Sequence, residues 1–147
     1  VVVNKNNQLL VEEELTDIKQ LRSLAVDFLD NGGGSGEEFC DYCQGDRNPR
    51  SSDNPEKAII SLKNDRETEY KVYIAVQNEL VAAYNVLRNR EFARLYPNEG
   101  LTYVEADQKY SDPRTSIDDK SDLKEKLDII KALYPQKLSE AEPSKVN

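Results

Sequence analysis

A strand-like run that passes directly into the longest helical pattern limits the folds open to this chain more than any other feature. In Lys57-Ala58-Ile59-Ile60-Ser61-Leu62-Lys63, Ala58, Ile60 and Leu62 share one face of an extended backbone, and Ile59 adds apolar surface to the other, as in an interior strand. Asn64, Asp65 and Arg66 close the strand. From Tyr70 the period changes: Tyr73, Val76, Leu80, Ala83, Tyr84 and Leu87 recur at three- and four-residue steps, which gathers them on one helical face. Such a stripe must be covered, and the sheet holding the preceding strand is the nearest cover. The unit predicts half of a strand-helix-strand crossover, with a second strand further along.

The rest of the chain supplies partners for that unit. Val1-Val2-Val3-Asn4 and Gln8-Leu9-Leu10-Val11 are β-prone runs around Lys5-Asn6-Asn7, whose asparagines tolerate the positive φ of a tight turn, so they predict a hairpin. Asp17 is positioned to cap a helix, with Gln20 reaching back as in a capping box. Ile18, Leu21, Leu24, Ala25, Phe28 and Leu29 form its stripe, and Asn31-Gly32 stops it. The central helix runs on through Phe92 and Leu95 to the break at Tyr96-Pro97-Asn98-Glu99-Gly100. Leu101 to Ala106 reads as a short extended piece and Asp107 to Asp119 as a polar loop. A further helix carries Leu123, Leu127, Ile130 and Leu133 and ends at Pro135. Gln136 to Ala141 reads as a last strand, followed by Glu142-Pro143 and a polar tail. The order ββαβα(α)β predicts an α+β fold, a two-layer α/β sandwich with helices on one face of a small mixed sheet.

With 147 residues the chain fits one domain, 1–147, interrupted by a long loop at 31–57 that holds Gly32, Gly33, Gly34 and Gly36 before Cys40-Asp41-Tyr42-Cys43. Charged residues make up 33% and the mean hydropathy is -0.77, which predicts a well-solvated surface over a modest core. No run reaches the ~20 apolar residues of a membrane-spanning helix. The chain opens on Val-Val-Val without a Met, so it is expected to be a piece of a longer protein, and the lack of a signal peptide carries no information. Twenty basic residues stand against 28 acidic ones, a net -8, and they are scattered, which argues against nucleic acid as a partner. The absence of His removes the usual proton carrier and any Ser-His-Asp triad.

Three features could carry chemistry. Cys40-x-x-Cys43 has the spacing of a redox pair, but Glu37, Glu38 and Asp41 lie beside it and disfavour a thiolate; a structural disulfide, free thiols, a metal shared between protomers and redox catalysis remain open. Tyr70, Tyr73 and Tyr84 fit core packing with hydroxyls at the rim better than a ligand platform. Glu12-Glu13-Glu14 and Asp118-Asp119 lack the alternation and glycine of a calcium loop and read as solvated surface.

Three stretches also resemble the periplasmic domain of the ExbD/TolR biopolymer-transport family, in its Bacteroidetes-like form. Val1 to Val11 is similar to that family's opening hairpin. Ala58-Ile59-Ile60-Ser61-Leu62-Lys63-Asn64-Asp65, with Tyr70 and Val72 to Leu87, resembles its central strand, acidic turn and next helix. Tyr134-Pro135-Gln136-Lys137-Leu138-Ser139-Glu140-Ala141-Glu142-Pro143 is similar to its closing strand and Glu-Pro end. The resemblance implies a non-enzymatic subunit of a proton-motive-force-driven inner-membrane motor of the TonB or Tol type, energising outer-membrane transport. It places the domain at the periplasmic face of the inner membrane, anchored by an N-terminal helix outside this chain. Implied partners are an ExbB/TolQ-like membrane subunit, a TonB/TolA-like protein and peptidoglycan. The family's proton-carrying Asp belongs to the upstream helix, so no catalytic, cofactor-binding or metal residue carries over. The alternative is a small thiol-disulfide redox protein using Cys40 and Cys43. A homodimer is expected, paired through strand edges at Val1-Val2-Val3 and Leu138 to Ala141.

Overall fold

In the computed structural model, which describes residues 1–145, the first two strands form the expected hairpin. β1 (Val2–Val3) and β2 (Leu9–Val11) pair antiparallel with Val3 opposite Leu9. Asn7 has a φ of 60°, and the Asn4 carboxamide oxygen accepts from the Asn6 and Gln8 amides at 3.0 Å each, so local side-chain bonds close the turn. A third strand, β3 (Glu14–Thr16), follows directly and pairs antiparallel with β2, Leu15 opposite Leu10. The two-residue connection between them has φ of 50° at Glu12 and 71° at Glu13, the left-handed pair that matches strand twist in tight hairpins. The acidic run is thus part solvated turn and part edge strand.

β4 (Ile60–Asn64) lies parallel to β1 on one side and to β5 (Leu138–Glu140) on the other, giving the strand order β3-β2-β1-β4-β5. The second strand of the expected crossover is therefore β5. Ile60, Leu62 and Asn64 are buried while Ser61 and Lys63 are exposed, so the sheet is covered on one face. Ile59, just before β4, is 57% exposed, which corrects the expectation of apolar burial on both faces. The predicted edge at Val1-Val2-Val3 is also corrected, because β1 is hydrogen-bonded on both sides and the outer strands are β3 and β5.

Asp17 caps α1 (Ile18–Leu29) by accepting from the Lys19 amide at 2.9 Å; Gln20 gives only its backbone N–H to the Asp17 carbonyl, so the predicted capping box is not formed there. Leu21, Ala25 and Leu29 are buried, whereas Leu24 is 41% exposed. α2 (Tyr70–Leu95) has 26 residues and is roughly 39 Å long at 1.5 Å per residue. Its stretch from Val76 to Leu87 buries Val76, Leu80, Ala83, Tyr84 and Leu87 with Val3, Leu9, Ile60, Leu62 and the α1 stripe. Arg22 of α1 clasps Glu79 of α2 through two hydrogen bonds of 2.9 and 3.3 Å.

The far half of α2 enters a second apolar cluster, in which Phe92 packs with Tyr103, Ala106, Leu123, Leu127 and Ile130. Two expectations fail here. Leu101 to Ala106 is not extended, and Asp107 to Asp119 is not one loop: α3 (Tyr103–Ser111) runs across the boundary between them, and α4 (Ile117–Leu133) begins before Asp119. Thr102 and Glu105 form a capping box that starts α3, with reciprocal bonds of 3.1 and 3.0 Å. The observed order is βββαβαααβ, still an α+β fold with a small mixed sheet. The end of the predicted polar tail, 146–147, lies outside the described residues.

Candidate functional site

The long loop is where chemistry-bearing residues meet. Gly32, with φ +64°, turns the chain out of α1, and a side chain on Gly33 would lie 2.2 Å from the Asn48 carbonyl oxygen, so the loop doubles back tightly on itself. Buried Asn31 holds that return: its amide nitrogen donates to the Asn48 and Ser52 carbonyls at 2.9 and 2.7 Å, and its oxygen accepts from the Asn48 amide at 3.0 Å. Each backbone group satisfied this way is one that a sheet or helix would otherwise have to satisfy.

Cys40 and Cys43 have their sulfurs 2.11 Å apart, paired as a disulfide, and are 1% and 4% exposed. Arg47 closes the ring from the other side, donating to the Cys40 carbonyl at 2.8 Å and the Cys43 carbonyl at 2.6 Å, with its guanidinium 4.9 Å from the centre of the Phe39 ring. Between the cysteines, Tyr42 reaches to the end of α4. Its hydroxyl donates to the Leu133 carbonyl at 2.6 Å and its ring meets Tyr134 edge-on at 5.4 Å.

Beneath this loop lies a buried polar network. Asp30, at the end of α1, accepts from both terminal nitrogens of Arg90 at 2.7 and 3.1 Å, from the Tyr134 hydroxyl at 2.6 Å and from the Gln44 amide at 3.2 Å. Arg90 also donates to the Tyr42 carbonyl at 3.3 Å and to Glu91 at 3.0 Å, and Glu91, fully buried, accepts further from Arg94. Arg88 donates twice to the Tyr134 carbonyl, at 3.0 and 2.9 Å, which satisfies an acceptor that the end of α4 leaves open. Burial pushes the Asp30 carboxyl up, but hydrogen bonds from Arg90, Tyr134 and Gln44 outweigh it and hold the pKa below the ordinary value. Burial, then Asp30, push the Tyr134 hydroxyl up; burial pushes Tyr42 up as well, with Glu56, Glu91 and Asp41 adding to it. For Arg90, burial acts downward and is overcome by Asp30 and Glu91. Around neutral pH the network therefore holds a fixed pattern: an anionic Asp30, a cationic Arg90 and two neutral phenols.

Comparison with models of known families, with curated proteins and with solved structures finds no match.

The sequence-selected residues separate in space. Cys40 and Cys43 join each other, and with both sulfurs oxidised neither is a thiolate available to a metal. Tyr84 is buried and its hydroxyl accepts from the Lys137 amide at 3.2 Å, fastening the approach to β5, whereas Tyr70 is 76% exposed. Asp118 and Asp119 lie in the first turn of α4, where carboxylates favour the positive helix end. Asp30, Arg90, Glu91 and Tyr134 were not singled out from sequence. For Arg90 and Glu91 the visible signal was the polar run Arg88-Asn89-Arg90-Glu91 inside an otherwise apolar helical pattern, which ordinarily marks a solvated face.

Proposed function

We propose that this chain is the periplasmic domain of an ExbD/TolR-like subunit of a proton-motive-force-driven motor, and that it works by binding other proteins rather than by turning over a substrate. The observation that carries this reading is the meeting of three distant stretches. Residues 1–11, 58–87 and 134–143, which bear the resemblance, supply β1, β2, β4, β5 and the helix α2 that covers them. Segments that share a likeness and assemble into one sheet and its cover are what a retained domain would look like. In this reading the domain sits on the periplasmic face of the inner membrane and answers to ExbB/TolQ-like and TonB/TolA-like partners and to peptidoglycan. It dimerises through the outer edge of β5 or β3.

A thiol-disulfide function has weaker support. Both sulfurs are buried, and neither cysteine opens an α-helix, the setting that lowers a thiol pKa. The fixed protonation pattern of the Asp30 network suits a clasp better than a proton relay.

Affinity purification of the full-length protein from detergent-solubilised membranes tests the proposal. Recovery with a multi-span membrane subunit in constant ratio is the expected result. Recovery from the soluble fraction, free of membrane partners, would refute it.

A further inference from the structure

Two residues that the sequence assigns to apolar faces are left in contact with solvent: Leu24 of α1 is 41% exposed and Ile59, just before β4, is 57% exposed. Both line one groove of about 330 Å³, within the ~300–1,000 Å³ usual for ligand clefts. Its floor is the apolar surface where Leu21 and Ala25 of α1 approach Leu80 of α2, and Phe28 forms part of a wall. The rim is acidic. Asp27 stands on α1, Asp46 in the loop behind it and Glu12 in the β2–β3 turn, and no Lys or Arg side chain lines the groove. Among the described residues Asp27 and Asp46 are exposed and make no ion pair, while Glu12 faces the amine of Val1.

We propose that this groove docks a basic, apolar segment of a partner protein, one in which Lys or Arg alternates with aliphatic residues. Aliphatic side chains cover Leu24 and Ile59, and the cations meet Asp27 and Asp46. Charge selects this occupant over the others. A second copy of the chain brings another net -8 towards an acidic rim, and a fatty acid or phospholipid brings an anionic head group to the same carboxylates. A cationic segment instead gains a long-range attraction that speeds encounter and weakens with salt. The inference rests on the groove alone and stands whether or not the motor reading does.

The test is methyl and amide NMR of the chain titrated with the blocked peptide Lys-Leu-Lys-Leu-Lys-Leu, with Glu-Leu-Glu-Leu-Glu-Leu and Lys-Ser-Lys-Ser-Lys-Ser as controls. The expected result is a set of shifts confined to Leu24, Phe28, Ile59 and their neighbours with the Lys-Leu peptide, weakening as salt is added. The double variant Asp27→Asn/Asp46→Asn should bind about 2- to 30-fold more weakly, the range for two exposed ion pairs. Ile59→Arg places a cation in the groove at an exposed position, so it should abolish binding and leave the spectrum of the fold intact. Equal binding of the Glu-Leu or Lys-Ser peptide would overturn the proposal. So would no shift at millimolar peptide, binding indifferent to Ile59→Arg, or concentration-dependent shifts at this face without peptide, which would assign the groove to a second copy.

Discussion

Residues 31–57 and residues 97–120 are both long segments outside the strands and the central helix α2, and they are held in opposite ways. The first contains no α-helix and is fastened by polar groups: the Asn31 carboxamide, the Arg47 guanidinium, the Cys40–Cys43 bridge and the Asp30–Arg90 pair below. The second folds largely into helix, α3 and the start of α4, and is held by Tyr103 and Ala106, which are buried against Phe92 and the α4 stripe. Removing an apolar side chain costs its own burial and a gap that its neighbours close only in part. Removing one member of a buried charge network leaves the others desolvated and unpaired. The two connections therefore fail in different ways.

The sharpest break in that comparison is Arg90→Ala. It leaves Asp30 and Glu91 buried without their shared partner and should destabilise the fold by about 3–5 kcal/mol in urea unfolding at neutral pH. Arg90→Lys should recover only part, since an ammonium cannot reproduce the forked contact. A loss under half a kcal/mol would mean that the network carries no stability.

The same network sets a pH dependence. The folded pKa of Asp30 lies below its unfolded value of about 4, so its contribution is present above that value and is lost as pH falls through the folded pKa. Unfolding midpoints measured downward from pH 5 should fall less steeply for Asp30→Asn than for the wild type. Parallel curves would assign the acid sensitivity elsewhere.

In the apolar regions, Leu80→Ala beneath the sheet and Leu127→Ala beneath α3 should each cost ~2–5 kcal/mol. The pair shows whether the two clusters melt together: a coincident loss by far-UV and tyrosine signals in both variants is expected. Replacing both Cys40 and Cys43 with Ala should cost about 2 kcal/mol, because a bridge closing so short a ring restricts little of the unfolded chain. Thr102→Ala removes a cap from α3 and should cost only ~1 kcal/mol, read as a shift in urea midpoint without change in slope.

What was legible in the sequence was periodicity. The α2 stripe, the Asp17 cap and the closing strand at Leu138–Glu140 are local patterns, and each formed where spacing placed it. β3 was missed because Glu12-Glu13 carries no Asn or Gly to announce its tight turn. α3 had a signal that went unused: Thr102-x-x-Glu105 is a capping box, and Tyr103, Ala106 and Tyr110 recur at helical steps. The Asp30 network was illegible for a different reason. Asp30 meets Arg90 across 60 residues and Tyr134 across 104, a separation that no local pattern records. Leu24 and Ile59 show the converse: apolar spacing placed them on a face, and tertiary packing left that face open.

The most direct test of the central claim, that the chain acts by contact within a membrane motor, is gene replacement in the host. Proton-gradient-dependent outer-membrane function would be read as uptake of large solutes and as detergent resistance, in cells carrying no copy, the wild-type protein or the folded Cys40→Ala/Cys43→Ala form. The account predicts loss of one of these functions on deletion, and full recovery with both the wild-type and the cysteine-free protein. No effect of deletion on either readout, or recovery only when both cysteines are present, would contradict it.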